Sequence, residues 1–198
     1  IAQGYHDTNG GWVGRLQNYV LKNQKDASIF NLGISGDKVE HVVKRLKHET
    51  EARTKRWDSF DDSVIILAVG TNDTYKQGKN PDSVTDKSAF VTDFSRLIDI
   101  AKVEAKYVFI CSILPVDELR STPVSWEDIS YFNETIDSYN VSIQNLCSEK
   151  EVKYLDLNSE AKKIGWASMI DDGTHPNTDG HDWLFQQIQP YIADLLQK

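Results

Sequence analysis

The sequence predicts an α/β fold, in which a parallel β-sheet lies between two layers of helices. Two runs, residues 63–69 and 107–113, are continuously apolar and rich in β-branched side chains, the pattern of strands that are covered on both faces. Amphipathic segments separate these runs, and strands that alternate with helices join into a parallel sheet through right-handed crossovers. The chain has 198 residues and no linker rich in Pro, Ser or Gly, so we expect a single domain over residues 1–198.

Two shorter segments complete the predicted sheet. An apolar run at 27–32 ends at a glycine-bearing turn, and residues 152–157 have the pattern of a shorter strand. The order strand, helix, strand, helix then holds along the chain. In open sheets of this kind the functional site lies beyond the carboxyl ends of the strands, which places the loops at 33–37, 70–73 and 115–126 at one edge.

Helices are predicted where apolar residues recur at helical spacing. Asp37 is the predicted N-cap of a helix that runs to about Arg56, and Ser125 with Asp128 resembles a capping box for a long helix. A short helical segment follows the last strand. The inward positions that define the helices are Trp12, Leu16 and Val20; Val39, Val42, Val43 and Leu46; Phe90, Phe94, Leu97, Ile98 and Ala101; Ile129, Phe132, Ile136, Tyr139, Ile143 and Leu146; and Leu184, Ile188, Ile192 and Leu195.

A polar turn near the C-terminus, DGTHPN at residues 172–177, carries the strongest chemical signal. Gly173 and Pro176 favour a rigid turn over a helix, so the side chains of Asp172 and His175 can project toward one point. A carboxylate held against a neutral imidazole fixes its tautomer and stabilises the imidazolium that forms when it accepts a proton. An Asp-Gly turn before a helix is also common without catalysis, so the pair alone leaves both interpretations open.

Two other turns offer hydrogen-bond donors for a developing negative charge. Asn72 follows a predicted strand and a Gly, so its amide can point over the edge of the sheet. Gly36 has no Cβ, so a ligand can approach its backbone N–H closely. Each residue has an equally good structural explanation, an Asx-type turn for Asn72 and a positive-φ turn or helix start for Gly36.

Taken together, three segments resemble the SGNH hydrolase family, also called GDSL esterases/lipases. ISGD at 34–37 is similar to the family's Gly block, GTND at 70–73 to its Asn block, and DGTHPN at 172–177 to its Asp/His block. The resemblance spans essentially the whole chain. It implies a three-layer α/β/α domain with a flavodoxin-like parallel sheet of about five strands. It also implies a serine esterase, a carboxylic ester hydrolase that acts on small esters or thioesters through an acyl-enzyme.

The resemblance gives the site residues separate roles. His175 is the implied general base and Asp172 its orienting partner, while the Gly36 N–H and the Asn72 amide are the implied donors to the oxyanion.

Three further residues are candidates for substrate binding. Tyr5 lies near the expected nucleophile, Asp73 lies beside the Asn block, and Trp126 lies in a variable loop. A structural role is the alternative for two of them, since Asp73 can stabilise its turn and Trp126 can pack at a helix start.

The sequence departs from the family pattern at its beginning. The family's first block is Gly-Asp-Ser-Leu or a close variant, at the end of the first strand, and it supplies the nucleophilic Ser. IAQGY at residues 1–5 looks like the tail of that block, so the Ser and its strand are expected immediately before Ile1. A sheet without this strand would leave backbone groups unpaired on two inner edges. Ser35 is a weaker substitute, because it lies in the oxyanion block and would have to reach His175.

Composition narrows the possible partners. The net charge of -8 argues against nucleic acid or an anionic membrane surface, and no run is long and apolar enough to span a bilayer. A small-molecule ester is therefore the expected partner, and the oligomeric state is left open. No cofactor and no metal are expected, because the His residues lack ligand spacing and no Gly-rich phosphate loop is present. These observations disfavour a metal-dependent hydrolase and a flavodoxin-like cofactor binder.

Cys111 and Cys147 lack the spacing of a metal or redox motif and are expected to be free, buried thiols. Such thiols favour the cytoplasm as the compartment, although a removed N-terminal signal is also compatible with the sequence. The main alternative function comes from another class: a non-catalytic relative that keeps the fold and binds a ligand or a protein partner.

Overall fold

The computed structural model describes residues 1–23, 27–54 and 62–196. Its helices are α1 (Gly11–Asn23), α2 (Val39–Thr54), α3 (Lys87–Glu104), α4 (Glu118–Ser121), α5 (Asn133–Glu149), α6 (Leu157–Lys163) and α7 (Thr178–Leu196). Its strands are β1 (Val64–Leu67), β2 (Lys76–Gln77), β3 (Tyr107–Cys111), β4 (Ile129–Ser130) and β5 (Lys153–Leu155), and 3₁₀ turns lie at Thr71–Asp73 and Trp166–Met169.

β1, β3 and β5 form a parallel sheet with β3 between the other two. Ile66 of β1 pairs with Phe109 of β3, and Ile110 of β3 pairs with Tyr154 of β5. Successive side chains point to opposite faces, so Ile110 and Cys111 belong to different hydrophobic clusters. Both faces are covered, which is why β1 and β3 are apolar at every position. The predicted parallel α/β class is confirmed.

One helical layer lies on each face of the sheet. α2 packs on α3 and α3 on α5 over one face, where Phe90 and Phe94 are fully buried. α1 packs on α7 over the other face, where Trp12 and Leu184 are buried. The three-layer arrangement thus follows from the amphipathic pattern of these helices. Within the described ranges, no helix has both the length and the apolar character needed to cross a bilayer.

The predicted strand at 27–32 does not form. These residues run as an irregular segment in which Ile29 packs toward the α1/α7 layer and Leu32 toward the α2/α3/α5 layer. No described segment pairs with them in a ladder, and the Asn31 side chain donates instead to the Ala2 carbonyl oxygen at 2.6 Å. A strand needs a partner backbone for its N–H and C=O groups, which an apolar pattern alone does not supply. The described residues therefore form a parallel sheet of three strands where about five were expected.

The N-terminus of α2 is capped by a residue from another turn. Asp73 Oδ2 accepts a hydrogen bond from the Val39 N–H at 3.1 Å. Asp37, the predicted cap, instead accepts from the Arg45 guanidinium at 2.6 Å. The prediction of Asp37 as N-cap was therefore wrong, and the predicted end of this helix near Arg56 lies outside the described residues.

The long helix α5 begins later than the capping-box pattern of Ser125 and Asp128 predicted. Its first residue is Asn133, whose N–H donates to Glu118 Oε1 of α4 at 2.6 Å. The preceding residues Ile129–Ser130 form β4, which pairs with β2 in a small antiparallel ladder. The carboxylate of α4 and this ladder together set the start of α5, and neither is visible in the local sequence.

Asp73 makes the stability of the fold depend on pH. Its carboxyl is fully buried, and burial raises its pKa to about 6, while the hydrogen bond from Val39 opposes the shift. Because this pKa lies above the unfolded value near 3.8, the folded state holds the extra proton and the free energy of unfolding falls as pH rises from about 4 to 6. Asp73→Asn should remove this loss, which amounts to up to about 3 kcal/mol between pH 4 and pH 7.

Urea unfolding of the parent and of Asp73→Asn, repeated across that pH range, measures how steeply the free energy of unfolding changes with pH. Asp86→Asn is the matched control, because Asp86 caps α3 by accepting from the Ser88 N–H at 2.9 Å but is exposed. Its hydrogen bonds, with the Ser88 hydroxyl foremost, lower the pKa of Asp86, so its contribution is complete above about pH 4. Equal slopes for the parent and Asp73→Asn would contradict the assignment to the buried carboxyl.

Candidate active site

Asp172 and His175 form a hydrogen-bonded pair in the loop that precedes α7. His175 Nδ1 lies 2.7 Å from Asp172 Oδ2. The other carboxylate oxygen, Oδ1, accepts from the backbone N–H of Thr174 at 3.0 Å and of His175 at 2.9 Å, and from the Thr174 hydroxyl at 3.1 Å. The carboxylate is thus held in one orientation and favours the tautomer with the proton on Nδ1. That tautomer leaves Nε2 as the acceptor.

The surroundings keep the carboxylate ionised and the imidazole neutral. Burial raises the pKa of Asp172, but hydrogen bonds from the backbone of His175 and Thr174 and from the His175 ring outweigh it and lower the pKa to about 2. Burial lowers the pKa of His175, and attraction to Asp172 offsets only part of that shift. At neutral pH the pair is a carboxylate beside a neutral imidazole, the state that a general base requires.

Arg120 of α4 holds this loop in place. Its guanidinium donates to the backbone carbonyl oxygens of Asp171 at 2.6 Å and of Ala167 and Ile170 at 3.0 Å each. Gly173 packs directly on Arg120, since a Cβ at Gly173 would lie 2.8 Å from the Arg120 carbonyl carbon, and its φ of 100° also favours glycine. Arg120 is a positioning residue that the sequence patterns missed.

The predicted oxyanion donor Gly36 lies in an exposed turn. The Asp37 N–H donates to the Ile34 carbonyl oxygen at 3.3 Å, and Gly36 has a φ of 78° at the third position, as a type II turn requires. A Cβ at Gly36 would meet no atom within 4 Å, so the space beside it is open. Within the described ranges, no acceptor binds the Gly36 N–H. This N–H can therefore donate to a ligand.

Asn72 lies against the same turn. Its Nδ2 donates to the Asp37 carbonyl oxygen at 3.0 Å, and its Oδ1 accepts from the Tyr131 hydroxyl at 3.4 Å. An amide nitrogen carries two hydrogens, so the second N–H of Asn72 is available to a ligand. The structure thus brings Gly36 and Asn72 onto adjoining turns. Tyr131, which orients the Asn72 amide, follows β4 and had no motif to identify it.

Two of the predicted substrate-binding residues lie beside the histidine. The ring centroid of Tyr5 is 5.3 Å from that of His175, and the ring centroid of Trp126 is 5.8 Å from it. Tyr5 is 61% exposed and Trp126 is 49% exposed, so both rings present a face to solvent. A substrate that approaches His175 can therefore contact both rings.

Asp73, the third predicted substrate-binding residue, lies elsewhere. Its side chain is fully buried and its Oδ2 is bound to the Val39 N–H beneath α2. A carboxylate that caps a buried helix end has no surface to offer a substrate, so the assignment of Asp73 to substrate binding is corrected to the turn-stabilising role.

The N-terminal segment is fixed to the site from two sides. His181 of α7 is buried, with Nδ1 3.3 Å from the Trp12 N–H and Nε2 3.3 Å from the Tyr5 carbonyl oxygen. These partners give His181 a single neutral tautomer and a structural role. Asp7 accepts from the Arg15 guanidinium at 2.5 Å. Residues on both sides of position 6 are therefore held firmly.

His6 is a neighbour of the pair that the sequence motifs did not assign. Its Nδ1 lies 2.8 Å from Asp171 Oδ2, and its Nε2 lies 3.3 Å from Asp172 Oδ2. One ligand atom each from His6, Asp172 and His175 lie within 4.8 Å of one another, a group that could hold a metal ion. Ligand spacing along the sequence did not reveal the group, because His6 and Asp172 are 166 positions apart.

The chain is similar over nearly its whole length to known hydrolases. A family model described as the GDSL-like Lipase/Acylhydrolase family matches residues 1–183. The thioesterase 1/protease 1/lysophospholipase L1 of Escherichia coli strain K12 is 24% identical over 197 residues, which are 97% of this chain and 81% of that protein.

Solved structures show the same architecture. The lipase/acylhydrolase from Enterococcus faecalis has a TM-score of 0.73 at 18% identity, over 97% of this chain and 90% of that one. An acetylxylan esterase from Geobacillus stearothermophilus has a TM-score of 0.70 at 17% identity, over 92% and 80% of the two chains. The family match spans the Gly, Asn and Asp/His segments alike. The chain therefore belongs to the GDSL-like lipase/acylhydrolase family of carboxylic ester hydrolases.

Proposed function

We propose that this protein is a serine esterase that hydrolyses small esters or thioesters through an acyl-enzyme intermediate. The observation that carries the proposal is the 2.7 Å contact between Asp172 Oδ2 and His175 Nδ1, in a state that makes His175 a base. The open donors of Gly36 and Asn72 lie on adjoining turns and support the same chemistry. Family membership supports ester hydrolysis as the reaction.

The nucleophile in this proposal is a Ser immediately before Ile1. Ile1 and Thr71 line the same small cavity, of about 30 Å³, so the chain enters beside the turn that carries Asn72. This contact supports a nucleophile near the turn that carries the proposed oxyanion donor Asn72.

The reaction then proceeds in two halves. His175 Nε2 takes the hydroxyl proton as the Ser oxygen attacks the carbonyl carbon, and Asp172 stabilises the imidazolium. The Gly36 N–H and the Asn72 amide donate to the oxyanion, and the imidazolium protonates the leaving alcohol or thiol as the acyl-enzyme forms. In the second half His175 takes a proton from water as the water oxygen attacks the acyl carbon, and the imidazolium returns that proton to the Ser oxygen as the acid leaves.

The rings of Tyr5 and Trp126 are the proposed walls of the substrate pocket, because both flank His175 and are exposed. Similar proteins are named as a thioesterase/lysophospholipase and an acetylxylan esterase, which supports esters or thioesters in general and leaves carbohydrate deacetylation and lysophospholipid hydrolysis as candidates. Cys111 and Cys147 are buried and free, which supports the cytoplasm as the proposed compartment.

A fluorophosphonate probe, with intact-mass analysis of the full-length protein, tests the proposal. We expect one probe adduct on the Ser before Ile1, absent from a His175→Ala variant because the base is lost. Ser35→Ala is the matched control and should keep the adduct, since Ser35 lies in the exposed turn with Gly36. A protein without an adduct would support the non-catalytic binding module instead. An adduct on Ser35 would show that Ser35, and not a Ser before Ile1, is the nucleophile.

Asn72→Ala should lower kcat by about a hundredfold to a thousandfold with little change in KM, because an oxyanion donor acts mainly in the transition state. Steady-state kinetics with a p-nitrophenyl ester measures both constants. Asn72→Asp is the matched variant, nearly identical in size but without the donor hydrogens, and it should be impaired as strongly. Full activity in either variant would show that Asn72 is not a donor to the oxyanion.

The activity should rise with pH through a single apparent pKa that lies below the ordinary value of an imidazole, about 6.5. Only the neutral base is active, and burial lowers the pKa of His175 while Asp172 raises it in part. Asp172→Asn should therefore move the midpoint of kcat/KM to lower pH and also reduce the maximum rate. A profile that is flat between about pH 5 and 9 would argue against His175 as the base.

A further inference from the structure

His6 lies between two carboxylates of the loop that carries His175. Its Nδ1 lies 2.8 Å from Asp171 Oδ2, and its Nε2 lies 3.3 Å from Asp172 Oδ2. The same Asp172 oxygen lies 2.7 Å from His175 Nδ1. Two imidazoles and one carboxylate oxygen thus come together, and these are atoms that a metal cation can bind at the same time.

We propose that His6, Asp172 and His175 form a binding site for a divalent transition-metal ion such as Zn²⁺, and that the bound ion inhibits the enzyme. One ligand atom of each residue lies within 4.8 Å of the others. Imidazole nitrogen and carboxylate oxygen are ligands that Zn²⁺ accepts, and three protein ligands with water in the fourth position are a frequent zinc arrangement. The two carboxylates, Asp171 and Asp172, also give the cluster a negative charge when both imidazoles are neutral.

Two of the three ligand separations are close to those around such an ion, and the third, between the two imidazoles, lies within 4.8 Å. Bonds of about 2.0–2.1 Å in a tetrahedral arrangement place neighbouring ligand atoms about 3.3 Å apart. His6 Nε2 and Asp172 Oδ2 already have this separation, 3.3 Å. His175 Nδ1 is 2.7 Å from Asp172 Oδ2 because a proton lies between them, so this distance would lengthen by about half an ångström when the ion replaces the proton.

His6 is held in the orientation that the site requires. Its φ of 62° is unusual for a residue other than glycine, and such a conformation persists only where the surroundings enforce it. The Tyr5 carbonyl oxygen is bound by His181, and Asp7 by Arg15, so the backbone is fixed on both sides of His6. The hydrogen bond to Asp171 leaves Nε2 as the metal-binding nitrogen, the arrangement by which a carboxylate orients a histidine ligand.

Inhibition follows from which proton the ion displaces. A neutral imidazole binds the ion through Nδ1 only when its single proton is on Nε2, so the proton of His175 moves from Nδ1 to Nε2 through water and the Nδ1 lone pair binds the ion. Nε2 then carries a hydrogen and has no free lone pair, so it cannot accept the proton of the nucleophile, and Asp172 binds the ion and no longer stabilises an imidazolium. The inhibitory part of the proposal rests on the proposed esterase function, whereas the binding site itself does not.

Isothermal titration of the full-length protein with Zn²⁺ tests the site, with His6→Asn as the main variant. Asn is among the residues that tolerate a positive φ, so this change removes the imidazole and keeps the backbone conformation. We expect one ion per chain in the parent and at least a tenfold weaker affinity in His6→Asn. His48→Ala is the matched control, because it removes an exposed imidazole from α2 and should leave the affinity unchanged.

Two further measurements test whether the bound Zn²⁺ contacts His175. The zinc concentration that halves ester hydrolysis, relative to each protein's own uninhibited rate, should rise in His6→Asn by the same factor as the affinity falls. Zn²⁺ should also protect His175 from diethyl pyrocarbonate in the parent, a readout that needs no esterase activity. Zinc binding and His175 protection without any ester hydrolysis would support the site and refute the proposed function.

Three results would overturn the proposal. The parent would bind no Zn²⁺ at about millimolar concentration, which would show that the cluster is not a metal site. His6→Asn would bind Zn²⁺ as tightly as the parent, which would place the ion elsewhere. The bound ion would leave both His175 reactivity and ester hydrolysis unchanged, which would separate it from the base.

Discussion

The parallel pairing of β1, β3 and β5 is the constraint on which the site depends. Parallel strands end at the same edge of the sheet, so the turn with Asn72 after β1 and the segment with Asp117 after β3 lie along one line. The Asp117 N–H donates to the Gly173 carbonyl oxygen at 2.9 Å, which holds the loop of Asp172 and His175 at that edge. A change in the order or direction of these strands would separate His175 from the turns that carry Gly36 and Asn72.

Features that depend on a few neighbouring residues could be predicted from the sequence. The pair of Asp172 and His175 is the best case, because its hydrogen bonds join atoms no more than three positions apart. The strands β1 and β3 were also predictable, since burial on both faces leaves a continuous apolar run. In each case the information lies within one short window of the chain.

Features that depend on a distant partner could not be predicted in the same way. The cap of α2 comes from Asp73, 34 positions after Val39, and the cap of α5 comes from Glu118, 15 positions before Asn133. Segment 27–32 has the composition of a strand, but strand formation depends on a neighbouring backbone. In the site, His6 contacts Asp172 and Tyr131 contacts Asn72, and each pair is far apart in the sequence. No local sequence motif could therefore identify His6 or Tyr131.

The hydrogen bonds from Arg120 determine which side chains of the loop are free to change. Its guanidinium binds the base-carrying loop through main-chain carbonyl oxygens, a group that every residue type supplies. The exposed side chains at 167 and 171 can therefore vary without moving His175. Replacement of the Asp171 side chain would remove a carboxylate from the rim of the site and would leave the hydrogen bonds between Arg120 and the loop backbone intact. Because Arg120 fixes the loop through its backbone, side chains at the rim can change while the position of His175 stays the same.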